Sequence, residues 1–125
     1  METTPSLPGV QQMKAALVKA QKLLEGDFIE TDSGRGWYHF LKEQRVGILG
    51  TAAGIVALCQ IDDSSPYIRK ATTQLIETQI ASSDPSLDGG WGISSIRHTP
   101  ICESTCWCAY ALCLAGISVT HTALQ

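Results

Sequence analysis

The sequence predicts an all-α fold built from two repeated helical hairpins. Two segments carry apolar residues at helical spacing, each is followed by a long run almost free of charge, and the two halves align at a fixed offset. The first segment places Val10, Met13, Leu17, Ala20 and Leu24 on one face, with Lys14, Lys19, Lys22 and Glu25 elsewhere. Gly26 stands where a C′ glycine would end that helix, which reads as amphipathic and half-buried. Residues 1–9, with Pro5 and Pro8, form a loose lead-in. A polar connector over 27–45 holds Gly34-Arg35-Gly36-Trp37, and residues 47–60 then run without a charge, as expected of a helix buried nearly all round.

The cycle then repeats. Ser65-Pro66 reads as an N-cap followed by proline at the first helical position. Ile68, Ala71, Thr72, Leu75 and Gln79 mark one face of that helix. The connector over 81–99 contains Asp88-Gly89-Gly90-Trp91-Gly92, and Thr99-Pro100 opens an apolar helix whose sole charge up to Gly116 is Glu103. Residues 118–125 read as a tail that is frayed or cut from something longer.

Trp37 and Trp91 lie 54 positions apart, as do Gly36 and Gly90, Thr51 and Thr105, Leu58 and Leu112, and Cys59 and Cys113. The helix before each tryptophan needs a shift of about two residues. One domain over 10–117 follows, with repeats at about 10–60 and 65–117. The two uncharged helices are expected side by side in an inner layer with the charged pair outside.

Composition excludes several function classes. The chain has 125 residues, 9 Lys+Arg against 12 Asp+Glu, and 44% hydrophobic residues, so one core is expected and nothing marks a nucleic-acid partner. No signal peptide or membrane span is read. Five cysteines, an odd number lying in the most apolar segments, fit buried free thiols in the cytoplasm better than a disulfide framework.

Leu87-Asp88-Gly89-Gly90-Trp91-Gly92, followed by Cys102-Glu103-Ser104-Thr105-Cys106-Trp107-Cys108-Ala109-Tyr110-Ala111-Leu112, resembles the repeats of squalene and other terpenoid cyclases and of protein prenyltransferase β subunits. Gln79 is similar to the glutamine of the cyclases' QW motif, at a longer spacing. Gly36-Trp37 with Gly50-Thr51-Ala52-Ala53 is a weaker copy. The resemblance spans nearly the whole chain and implies an (α/α)-toroid-like arrangement of prenyltransferase/squalene-cyclase-like hairpins. A closed toroid takes about six hairpins, on the order of 300 residues. Two make an incomplete toroid, which leaves a fragment of a longer chain, flanks that pair with another subunit, or a compact four-helix unit.

The catalytic motifs of those families are not matched. Ile61-Asp62-Asp63-Ser64 departs from the acid-rich DxDD of the cyclases and reads as a solvated turn. Ser104 stands where the prenyltransferases' zinc-binding histidine falls in Ser104-Thr105-Cys106-Trp107-Cys108. At 100° per residue Cys102, Cys106 and Cys113 share one helical face within about 40°, a weak metal set near His98. Glu103 reads as a first-turn carboxylate facing the helix dipole. His39, His98 and His121 enter no catalytic arrangement. Paired glycines let each connector approach the next helix, and the following tryptophan braces helix ends through its indole N–H.

Together these point to a non-catalytic module for protein–protein interaction or assembly, with no cofactor. The expected partner is a protein, the remaining segment of a longer chain, or a second copy through the open helical flanks. The expected surface is Trp37, Tyr38, Trp91, Arg97, His98 and Glu103 with the exposed flank of an inner helix, while Gly36, Thr51, Gln79, Asp88, Gly89, Gly90 and Thr105 serve structure. The competing expectation is a fragment of a terpenoid cyclase or prenyltransferase-like enzyme, or a domain that binds an isoprenoid or lipid.

Overall fold

A computed structural model describes residues 9–32, 34–38, 45–93, 99–118 and 121–125. The described chain runs α1 (Val10–Asp27), β1 (Ile29–Thr31), β2 (Gly34–Gly36), α2 (Ile48–Ile61), α3 (Pro66–Thr78), α4 (Cys102–Leu114) and a closing 3-10 turn (Thr122–Leu124). Helix dominates, as expected. The small antiparallel sheet lies inside what reads as a plain connector.

Helix α1 departs from the expected pattern at both its end and its face. It runs through Gly26 to Asp27, and Phe28 then turns extended so that its ring packs edge-on to Trp37, 5.1 Å between centroids, and against Tyr67 at 4.8 Å. The aromatic anchor, rather than the glycine, sets the end. No residue of α1 is buried: Val10, Met13 and Leu17 are exposed, and Ala20 and Leu24 are half-buried. The stripe read as core-facing is therefore largely free.

The strands pair Ile29 with Gly36, Glu30 with Arg35 and Thr31 with Gly34. Buried Gln74 of α3 braces them, its Oε1 accepting the Arg35 N–H at 3.1 Å. Its amide also fills the space a side chain would need at Gly34, whose φ is +129°. The second half keeps only the first rung of this ladder, with Ile80 N–H donating to Gly90 O at 2.9 Å and Gly89 N–H to Ile80 O at 2.8 Å.

Helix α2 packs against α4, α3 and α1, so the two nearly uncharged helices lie side by side. The shared core gathers Ile48, Ala52, Ile55 and Leu58 of α2, Ile68, Ala71 and Leu75 of α3, and Cys108, Ala111 and Leu112 of α4, around Trp37 and Trp91. Burial of α2 is one-sided: Ala53 and Gln60 face solvent. Proline starts α3 as expected, but the Ser65 hydroxyl donates to Glu25 Oε1 at 3.1 Å instead of capping the helix. Asp62 closes the preceding turn by accepting the Ser64 N–H and hydroxyl, which holds its carboxyl below the usual range. That role agrees with a solvated turn.

The described residues after α4 fold back onto the core. Helix α4 ends in a glycine motif, with Gly116 at φ +89° and Ile117 N–H bonded to Leu112 O at 3.0 Å. Ala123 returns to the core, and Gln79 Nε2 donates to its carbonyl at 2.7 Å. No helix among the described residues is long and apolar enough to cross a membrane.

Candidate interaction surface

Each Gly-Trp connector is clamped to the inner helix that follows it by the same set of bonds. Trp37 N–H donates to Thr51 Oγ1 at 3.2 Å, and Trp91 N–H to Thr105 Oγ1 at 3.0 Å. Gly47 N–H reaches Trp37 O and Ile101 N–H reaches Trp91 O, both at 2.9 Å. These two donors sit at the extended N-cap residues of α2 and α4. Using Ile101 in this way delays α4 to Cys102, past the expected start at Thr99-Pro100. The indole N–H of Trp37 bonds Leu24 O at 2.8 Å and that of Trp91 bonds Leu75 O at 2.7 Å, tying each connector to the outer helix as well. Among the outer-helix carbonyls the offset is three residues shorter than 54, close to the shift of about two read from the sequence.

The glycines of the motif follow from this clamp. A β-carbon on Gly36 would lie 2.2 Å from Thr51 Oγ1, and one on Gly90 would lie 2.7 Å from Pro100 Cβ and 3.2 Å from Thr105 Oγ1. Gln79 Nε2 also donates to Gly89 O at 2.7 Å, and Asp88 Oδ1 accepts the Ser82 N–H at 2.8 Å. Each of these residues holds a connector through a bond or a close approach.

The clamp corrects the expected surface. Trp37 and Trp91 are 6% and 1% exposed, so they offer nothing to a partner. Tyr38 is half-buried and bridged to Val46, and Glu103 is exposed in the first turn of α4. Arg97, His98 and His39 lie outside the described residues, while exposed His121 accepts the Ala123 N–H on Nδ1.

The exposed flank of the inner helix is more extensive than the connectors. Ile101, Trp107 and Tyr110 are exposed, the two rings edge-on with centroids 6.1 Å apart. Cys102, Cys106 and Cys113 share this flank and are exposed free thiols, which corrects the expectation that they are buried; only Cys108 is buried and Cys59 is half-buried. Desolvation pushes the Cys108 thiol up to about 12. Cys102 and Cys106 place their sulfurs 4.0 Å apart, and this contact raises the Cys106 pKa. Among the described residues no three metal-ligating side chains converge, so the weak cysteine set gathers no third ligand. A shallow depression of about 380 Å³ adjoins the flank, between Leu87–Gly90 of the connector and Pro100, Ile101, Cys102 and Cys106.

A second uncovered face lies on α1, where Val10, Met13, Leu17, Val18 and Leu23 are all at least half exposed. Val10, Met13 and Leu17 lie within about 60° of one another on that helix, and exposed apolar groups gathered in this way are the usual mark of a contact surface. Reading the sequence singled out the tryptophans of the motif and passed over Trp107, Tyr110 and Leu17. Helical spacing alone carries no signal for these positions: Ala53, 54 residues before Trp107, is exposed as well, and Val56, 54 before Tyr110, is half-buried. No family model, curated protein or solved structure matches the chain.

Proposed function

We propose that this chain is a non-catalytic helical-repeat module whose two flanks, α4 on one side and α1 on the other, bind helical surfaces of a protein partner or of further repeats of a longer chain. The observation that carries the reading is the pair of uncovered apolar faces, one on α1 and one on α4. Leaving Trp107, Tyr110 and Ile101 in water forgoes about 25 cal/mol for each Å² of apolar surface that a partner would cover. The described acids fit this reading: Asp62 serves a turn and Glu103 faces solvent. The resemblance of the Gly-Trp units to cyclase and prenyltransferase repeats suggests an incomplete (α/α)-toroid as the ancestor of this architecture. Five free thiols suit a reducing compartment such as the cytoplasm.

One observation favours a second reading, an isoprenoid- or lipid-binding domain or enzyme fragment. Trp107 and Tyr110 form an aromatic pair on the arc that a closed toroid would turn toward its cavity. A photo-crosslinking side chain at position 107 in cells that make the protein separates the two, with the exposed Glu77 position as control. The interaction reading expects adducts of protein mass, identified by peptide sequencing, at 107 and not at 77. Adducts of isoprenoid or lipid mass alone would overturn it in favour of the second reading.

A further inference from the structure

The offset of 54 relates each position of α2 to one of α4, and their burial differs in an ordered way. At 100° per residue Ile48, Ala52 and Cys59 span roughly 40° of α2, and their counterparts Cys102, Cys106 and Cys113 span the same arc of α4. Ile48 and Ala52 are 3% and 0% exposed and Cys59 is half-buried, whereas all three counterparts are exposed. On the far side the order reverses: Gly50 and Ala57 of α2 are half-buried, while Ser104 and Ala111 of α4 are buried. Because α2 and α4 pack together, this ordered burial is accounted for by a seam in which the Ile48–Ala52–Cys59 arc of α2 faces the Ser104–Ala111 arc of α4.

At the offset of 51 set by Leu24 and Leu75 the outer helices differ in one direction only, each buried residue of α3 having a less buried counterpart on α1. Ile68 and Gln74 of α3 are buried, yet their counterparts on α1, Leu17 and Leu23, are 50% and 66% exposed. Hairpin one thus lacks a neighbour on the side where hairpin two has one, and hairpin two lacks a neighbour on the side where hairpin one has one. The bare Cys102–Cys106–Cys113 arc of α4 and the half-buried Gly50–Ala57 arc of α2, beside exposed α1, correspond to the two arcs assigned to the internal seam.

Resting on the interaction reading above, we propose that the occupant of the α4 face is the α1–α2 face of a second copy of this chain, docked head to tail by the step that relates hairpin one to hairpin two. Such a contact is heterologous: each copy that binds exposes a fresh α4 face, so association proceeds beyond two copies until a ring closes or a filament grows. It continues the internal α2–α4 seam and needs no new kind of surface.

Two charge substitutions at exposed positions test this, Cys106→Arg on α4 and Leu17→Arg on α1, followed by sedimentation under a phosphine reductant with circular dichroism confirming helix content. The wild-type chain is expected to exceed twice the monomer mass as concentration rises, and each variant alone to stay monomeric. An equimolar mixture retains one good α4 face and one good α1 face, so it should reach two protomers and stop. A wild-type chain that stays monomeric overturns the proposal, as does a wild-type dimer that stops at two and is not restored by mixing. Monomeric wild type together with adducts of another protein at position 107 would sink head-to-tail assembly alone, whereas lipid adducts would sink the interaction reading with it.

Discussion

Thr105 holds Trp91 through both ends of one backbone residue, its hydroxyl accepting the Trp91 N–H at 3.0 Å and donating to the Trp91 carbonyl at 3.3 Å. Thr51 accepts from Trp37 in the equivalent place. Replacing either threonine by valine keeps the shape and leaves a tryptophan N–H without its acceptor beside a buried ring. Each change should cost about 1–3 kcal/mol in urea denaturation, with serine in either place restoring most of it. Equal stability of valine and serine variants would show that water replaces the hydroxyl.

The same clamp separates two tryptophans that look alike in the sequence. Trp91 is buried and bonded to Leu75 O, so Trp91→Ala should destabilise by about 3–5 kcal/mol. Trp107 is 41% exposed, and Trp107→Ala should change stability by well under about 1 kcal/mol while altering association. Paired denaturation and sedimentation measurements on the two variants check both halves.

Glycines divide in the same manner. Gly26 lies inside α1 with open space around it, so Gly26→Ala should raise stability by about 0.5–1 kcal/mol. Gly36 has φ +155° and Thr51 Oγ1 where a β-carbon would go, so Gly36→Ala should destabilise. Opposite signs in thermal melts are the expected outcome, and a stabilising Gly36→Ala would contradict the clamp geometry.

Much of this fold could be read from residue spacing because a repeat samples the same physics twice. Glycine, tryptophan and threonine at matching offsets marked a close backbone approach, and the unequal charge of Lys14, Lys19 and Lys22 against residues 47–60 set exposed α1 apart from the largely buried α2. Spacing could not report what each face touches. The stripe of Val10, Met13 and Leu17 has the period of a buried face, yet burial depends on a neighbour that the described chain does not supply. The end of α1 was hidden for a similar reason, since Phe28 is held by Trp37 and Tyr67 from distant positions. The cysteines misled because apolar composition was equated with burial, whereas Cys102, Cys106 and Cys113 sit on the end face of the repeat.

Buried Cys108 makes stability depend on alkaline pH. Its thiol is neutral in the folded protein up to about 12 and ionises near the usual 9.0 once unfolded. Between those values the folded state binds more protons than the unfolded state, so unfolding free energy falls as pH rises. The contribution is fully present below about pH 9 and is lost progressively toward pH 12, at no more than about 1.4 kcal/mol per pH unit. The readout is the difference between wild type and Cys108→Ala, which isolates the contribution of this thiol. The variant should be less stable at neutral pH from lost packing, and its deficit should shrink above about pH 9. Alkylation supplies an independent check: Cys102, Cys106 and Cys113 should react with iodoacetamide in the folded protein, while Cys108 should react only at the rate of unfolding. A deficit that stays constant across this pH range, together with fast labelling of Cys108, would show that its thiol is reached by solvent in the native state.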